Sequence, residues 1–169
     1  MGVTIHFEGQ LFDEKAYQDL MAFVSSTANL DGWRTEPIES RRVTLVRVRN
    51  EQDCDYTGPV KGMAIYLHED CDPVRLEFDE NLYVQDYTKT QFAGADWHLR
   101  VVGLLKAIQP YFRELKVDDE GEYWDTGDIT VLNGHIQTSK RAIQKLFDEN
   151  PGAKMKVKMP HGKFIDLVT

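Results

Sequence analysis

The sequence predicts an α+β fold in a single domain over residues 1–169, a mainly antiparallel meander packed against about three helices. Three observations predict it. The chain opens with one alternating strand and one amphipathic helix. Its middle is a series of short apolar runs separated by polar turns. Its second half carries apolar residues at helical spacing. With 169 residues, 41% of them hydrophobic and 28% charged, the chain can bury one substantial core.

Val3, Ile5 and Phe7 alternate with Thr4, His6 and Glu8, the period of a half-buried strand. Asp13 is placed to cap a helix whose buried stripe is Tyr17, Leu20, Met21, Val24 and Ala28, and Asp31-Gly32 ends it. Residues 42–49, rich in Val and Arg, read as a strand with a partly basic face, and 50–59 as a loop. Strands follow at 60–67, 74–78 and 82–87, separated by polar turns at 68–73 and 79–81. Trp97, Val101, Leu104, Leu105, Ile108, Phe112 and Leu115 then lie on one face of a long helix from about Asp96, with a kink or a fresh short helix expected at Pro110. Ile129, Leu132, Ile136, Ile143, Leu146 and Phe147 predict a last helix, capped by Asp128 and weakest at Gly134. A tail hairpin turns at Pro160-His161-Gly162. No linker, low-complexity segment or repeat interrupts this order.

The formal charge is -8, with 28 acids against 20 basic residues. Such a surface disfavours general nucleic-acid binding; it reads first as a device for solubility and second as one that speeds encounter with a basic protein. The charge is uneven. From Lys140 onward seven basic residues face three acids, leaving +4 there and -12 elsewhere. Residues 116–128 hold six acids and one base, and the two blocks either attract each other or mark separate surfaces. No apolar run approaches the roughly 18 residues of a membrane span, so no membrane contact is expected. The N-terminus lacks a basic segment followed by an apolar one, and two cysteines make no disulfide framework; a cytoplasmic protein with reduced thiols is expected. A homo-oligomer is compatible with all of this.

The chemistry-bearing constellations are few. Cys54, His68 and Cys71 supply one short ligand pair where structural zinc uses two, so no metal and no cofactor is expected; Asp70 and Asp72 read as a solvated turn. The segment 118–128 sets Tyr123 and Trp124 among Glu120, Glu122 and other acids. It reads as a plug over the core, as a partner contact built on aromatic anchors, or as a paired-carboxylate site. Lys89, Gln91 and His98 flank the start of the long helix, where free N–H groups suit an anion, though the P-loop glycines are missing. A continuous helix of roughly 20 residues would hold these two regions ~30 Å apart. One site using both needs a break at Pro110 and a chain reversal. No Gly-x-Ser-x-Gly elbow is present, and acidic neighbours disfavour both thiolates. Lys154, Lys156 and Lys158 alternate with Met155, Val157 and Met159, which predicts three lysines on one strand face, as an anion stripe or as edge protection.

Two stretches, Thr-Lys-Thr-Gln-Phe-Ala-Gly at 88–94 and Asp-Glu-Gly-Glu-Tyr-Trp at 119–124, give the chain a loose resemblance to small acidic bacterial proteins of unassigned role. In size and charge it also resembles immunity proteins that neutralise a toxin. The expected function is that of a non-enzymatic, protein-binding protein, and the acidic aromatic segment offers its contact residues, Glu120, Glu122, Tyr123 and Trp124. The alternative is a small-molecule or anion-binding domain, or a small enzyme, with its pocket near residue 96.

Overall fold

The computed structural model describes residues 2–169. Strand β1 (Thr4–Leu11) buries Ile5, Phe7 and Leu11 and turns His6, Glu8 and Gln10 the other way. Helix α1 (Glu14–Asp31) starts where the Asp13 carboxylate accepts the Ala16 N–H at 2.8 Å, and it ends at Gly32 in the left-handed region. Then come β2 (Arg34–Leu45), β3 (Val48–Arg49), β4 (Gln52–Asp53), β5 (Tyr56–Tyr66), β6 (Val74–Phe78) and β7 (Tyr83–Lys89). Helix α2 (Ala95–Ile108) leads through a 3₁₀ turn, Gln109–Tyr111, into β8 (Phe112–Asp119). The one-turn helix α3 (Tyr123–Thr126), the long α4 (Ile129–Glu149) and the hairpin β9 (Lys154–Lys158) and β10 (Phe164–Val168) complete the chain.

These elements form an α+β domain with antiparallel sheets. One sheet has the order β7–β1–β8, a second β2–β5–β6, and β3–β4 and β9–β10 are two-stranded ladders. The turn between β6 and β7 is held by the Asp79 carboxylate, which accepts the N–H groups of Asn81 and Tyr83 at 2.8 and 3.1 Å. The main core joins Ile5 and Phe7 of β1, Leu20 and Val24 of α1, Leu76 and Phe78 of β6, and Val101, Leu105 and Ile108 of α2. One face of the β7–β1–β8 sheet therefore carries the core, and the other is polar.

Four boundaries differ from the sequence reading. Helix α2 stops at Ile108, and Phe112 and Leu115 belong to a strand, still buried. Pro110 cannot continue the helical ladder, and β1 offers an edge with which β8 pairs, Arg113 being skipped at a register shift. Strand β2 begins at Arg34, eight residues early. It pairs only with β5, and an edge strand tolerates Pro37 and charged residues. The expected loop at 50–59 contains β4 and the start of β5, and β7 runs on to Lys89.

The turn at 68–73 is not solvated as expected. Asp72 is fully buried, accepting the N–H of Phe164 at 2.7 Å and that of Lys89 at 3.0 Å, and burial pushes its carboxyl up. Burial likewise pushes the Cys71 thiol up, whereas Cys54 is exposed. The lysine stripe is broken too. The β9–β10 ladder skips Lys156, which has φ +56° and reaches Asp70, while Lys158 turns to the Glu69 carbonyl. The C-terminal bases thus answer acids of the 69–89 region: Lys156 meets Asp70 and Lys163 meets Asp86, while Lys89 takes Asp166 at 2.7 Å. None of these three pairs uses the acidic block at 116–128. No helix among the described residues is long and apolar enough to cross a membrane.

Candidate functional site

The break at Pro110 reverses the chain, so β8 runs back along β1 and delivers Asp119 to the first turns of α2. His98 Nε2 lies 3.0 Å from Asp119 Oδ2, and His98 Nδ1 lies 2.7 Å from Thr90 Oγ1. The imidazole bridges the carboxylate and the hydroxyl, and the Thr90 hydroxyl also lies 3.3 Å from the Val3 carbonyl. Asp119 also takes the N–H groups of Gly121 at 2.7 Å and Trp124 at 2.9 Å. Burial alone would raise this carboxyl, but His98 and the two N–H groups outweigh it and hold it below the usual carboxylate range. A Cβ on Gly121 would stand 2.6 Å from Leu132 and 3.0 Å from the His98 ring, so a side chain there would push these two aside.

Hydroxyl, imidazole and carboxylate stand here in the order that activates a nucleophile. Thr90 and His98 are both 0% exposed, so no substrate carbonyl can reach the hydroxyl. The cluster is a tie between the β7–α2 connection, α2 and the acidic segment.

The other sequence candidates are also occupied. Gln91 is buried, accepting the Val3 N–H and donating to Asp166 at 2.9 Å; Lys89 donates to the same carboxylate. Tyr123 and Trp124 are half-buried against the main core, with Tyr123 edge-on to His98 at 6.4 Å. Glu120 accepts the Thr4 N–H at 2.9 Å, and Glu122 pairs with His135 of α4. Cys54, His68 and Cys71 do not converge: among the described residues no three His, Cys, Asp or Glu side chains are grouped to hold a metal ion.

The open chemistry lies on the other face of the same sheet. The register sets His6 between Tyr87 and Asp118, Glu8 between Gln85 and Lys116, and Gln10 between Tyr83 and Glu114. The chain leaving β2 runs along this floor and forms one side of an open groove of about 720 Å³. Two anchors hold the wall. Gln85 exchanges hydrogen bonds with the Val48 backbone, accepting its N–H at 2.8 Å and donating to its carbonyl at 2.9 Å. Arg47, 5% exposed, donates to the Gln85 carbonyl at 2.9 Å and the Tyr83 carbonyl at 3.4 Å. Its Nε–H has no acceptor among the described residues. Arg47 and Lys163, which donates to the Tyr87 carbonyl at 3.0 Å, seal the free edge of β7.

Several floor groups are already committed. Glu8 accepts from the Tyr83 hydroxyl and from Gln85, and burial together with Glu8 pushes the Tyr83 phenol up to about 12. Asp86 holds Lys163, whose ammonium also sits 3.6 Å from the centre of the Tyr87 ring. Among the charged residues that line this groove of about 720 Å³, two are uncommitted. Lys116 and Asp118 are exposed and enter no ion pair among the described residues; the nearest pair at that end is His6 with Glu120, at 3.6 Å. Above them the wall shows Val46 and Val48 to solvent, 75% and 47% exposed.

Sequence reasoning missed this groove. Its signals were the outward set His6 and Glu8 on β1, and the alternation of Lys116 and Asp118 with Val117, hidden by the reading of a helix to Leu115. No protein-family model, curated protein or solved structure matches the chain.

Proposed function

We propose that this protein is a non-enzymatic binding protein and that its ligand site is the groove over the polar face of the β7–β1–β8 sheet. One observation carries the reading. A polar sheet face that would ordinarily meet bulk water is instead flanked by a separate segment, anchored at Gln85 and Arg47, which forms an open groove of about 720 Å³. That volume lies in the ~300–1,000 Å³ range of small-molecule sites, and the mixture of apolar wall and few uncommitted polar groups is typical of them. The hydroxyl–imidazole–carboxylate array of Thr90, His98 and Asp119 is sealed, which favours binding over catalysis there.

The reading is tested by a thermal-shift screen of small neutral, acidic, basic and zwitterionic compounds, repeated with Val46→Arg. Stabilisation by some compounds, lost in the variant, is expected. No stabilisation by any class, or equal stabilisation of the variant, contradicts it.

A second reading keeps the acidic aromatic segment as the contact for a basic protein. It is favoured by the exposure of Glu122, Asp125 and Asp128 beside Ile129, which is 43% exposed. In that reading the acids and Ile129 make the contact, and Tyr123 and Trp124 support them from below. Capture of a basic partner that survives Glu122→Ala with Asp125→Ala would contradict it.

A further inference from the structure

The groove is polarised along its length. Near Gln10 its continuation, a cavity of about 530 Å³, is lined by Arg49, Arg113, Lys116 and Glu114. There Glu8, whose hydrogen-bond donors Tyr83 and Gln85 are neutral, and Glu114 are the two acids that stand against three cations. At the opposite end stand Asp118 and, beyond His6, Glu120. Lys116 and Asp118 mark the crossover. They are two apart on one strand, so they point to the same face with backbones ~6.7 Å apart. An uncommitted cation and an uncommitted anion side by side on one face match a ligand that carries both charges. An extended chain of two residues spans about 6.6–7.2 Å, so a free dipeptide laid along the strand sets its two termini over the two residues. The exposed Val46 and Val48 offer an apolar side chain something to pack on.

Resting on the groove as the binding site, we infer that its ligand is a short zwitterionic peptide of dipeptide size with an apolar side chain. Its carboxylate meets Lys116, and its ammonium meets Asp118 at the acidic end. Such a ligand neutralises both charges without disturbing the Glu8–Tyr83 or Asp86–Lys163 contacts that shape the floor.

The test is an amide chemical-shift titration of the whole chain with leucyl-leucine, its N-acetyl form, its C-terminal amide, free leucine and a set of uncharged apolar fragments. The zwitterion is expected to shift His6, Tyr87, Lys116 and Asp118 saturably. Either blocked form is expected to bind at least tenfold more weakly, as are Lys116→Ala and Asp118→Asn with the free dipeptide. Both positions are exposed, so the variants fold, and thermal melting checks this. Free leucine binding as tightly as the dipeptide would overturn the assigned size. Blocked forms binding as tightly as the free one would overturn the zwitterion while leaving the groove as the site. If nothing in the set shifts the groove residues, both the inference and the groove reading fall.

Discussion

Asp118 and Asp119 are neighbours in β8, and each has a histidine beside it, yet they live in opposite environments. Asp119 points into the core, meets His98 at 3.0 Å and takes two backbone N–H groups. Asp118 points out to a groove, next to His6 in the register, and enters no ion pair among the described residues. The difference is one step of strand parity. A buried carboxylate that accepts three hydrogen bonds holds a fold together and is unavailable to anything else. One left with only water is available to a ligand and contributes little to stability. The same residue types therefore make a tie on one face of the sheet and an open site on the other.

The comparison breaks most sharply at the histidines. His98→Ala removes the imidazole from a buried carboxylate and is expected to cost about 3 kcal/mol, whereas His6→Ala stays within about 0.5 kcal/mol. Equilibrium urea unfolding of the two variants measures both. Next in size is Trp124→Ala, at about 2–3 kcal/mol, because the ring packs on the main core; Glu122→Ala at the same segment changes little. A thermal melt of the pair separates a core plug from a surface anchor.

The pH dependence sharpens the same contrast. Asp119 is held below its ordinary value of 3.8, so the folded state releases this proton more readily than the unfolded one. Its stabilisation is therefore present above about pH 4 and disappears as pH falls through the lower folded value. Asp119→Asn should flatten that acid limb in unfolding curves measured from pH 5 to 2, and Asp118→Asn should leave it unchanged. The smallest stability effect belongs to Lys116→Ala, within about 0.5 kcal/mol, with its consequence confined to ligand binding.

Much of the fold was legible. The caps at Asp13 and Asp128, the alternation of β1 and β6, and the tail hairpin follow from local rules that the tertiary structure did not override. The helix reading failed at Phe112 because the apolar steps of α2 continue by coincidence into a strand that buries Phe112 and Leu115 for its own reasons. Pro110 was the available signal. That one boundary concealed the parity of Asp118 and Asp119, and with it both the buried tie and the groove. Strand β2 was cut short because an edge strand need not alternate. The wall was not legible, since Gln85 and Arg47 anchor it across 37 and 38 residues of sequence.

The most direct measurement is equilibrium urea unfolding of Asp118→Ala and Asp119→Ala side by side. The division of labour predicts a loss of about 3 kcal/mol for Asp119→Ala and no more than about 0.5 kcal/mol for Asp118→Ala. Comparable losses in the two variants would mean that Asp118 is a structural residue as well, and would contradict the account of the polar face as an open site.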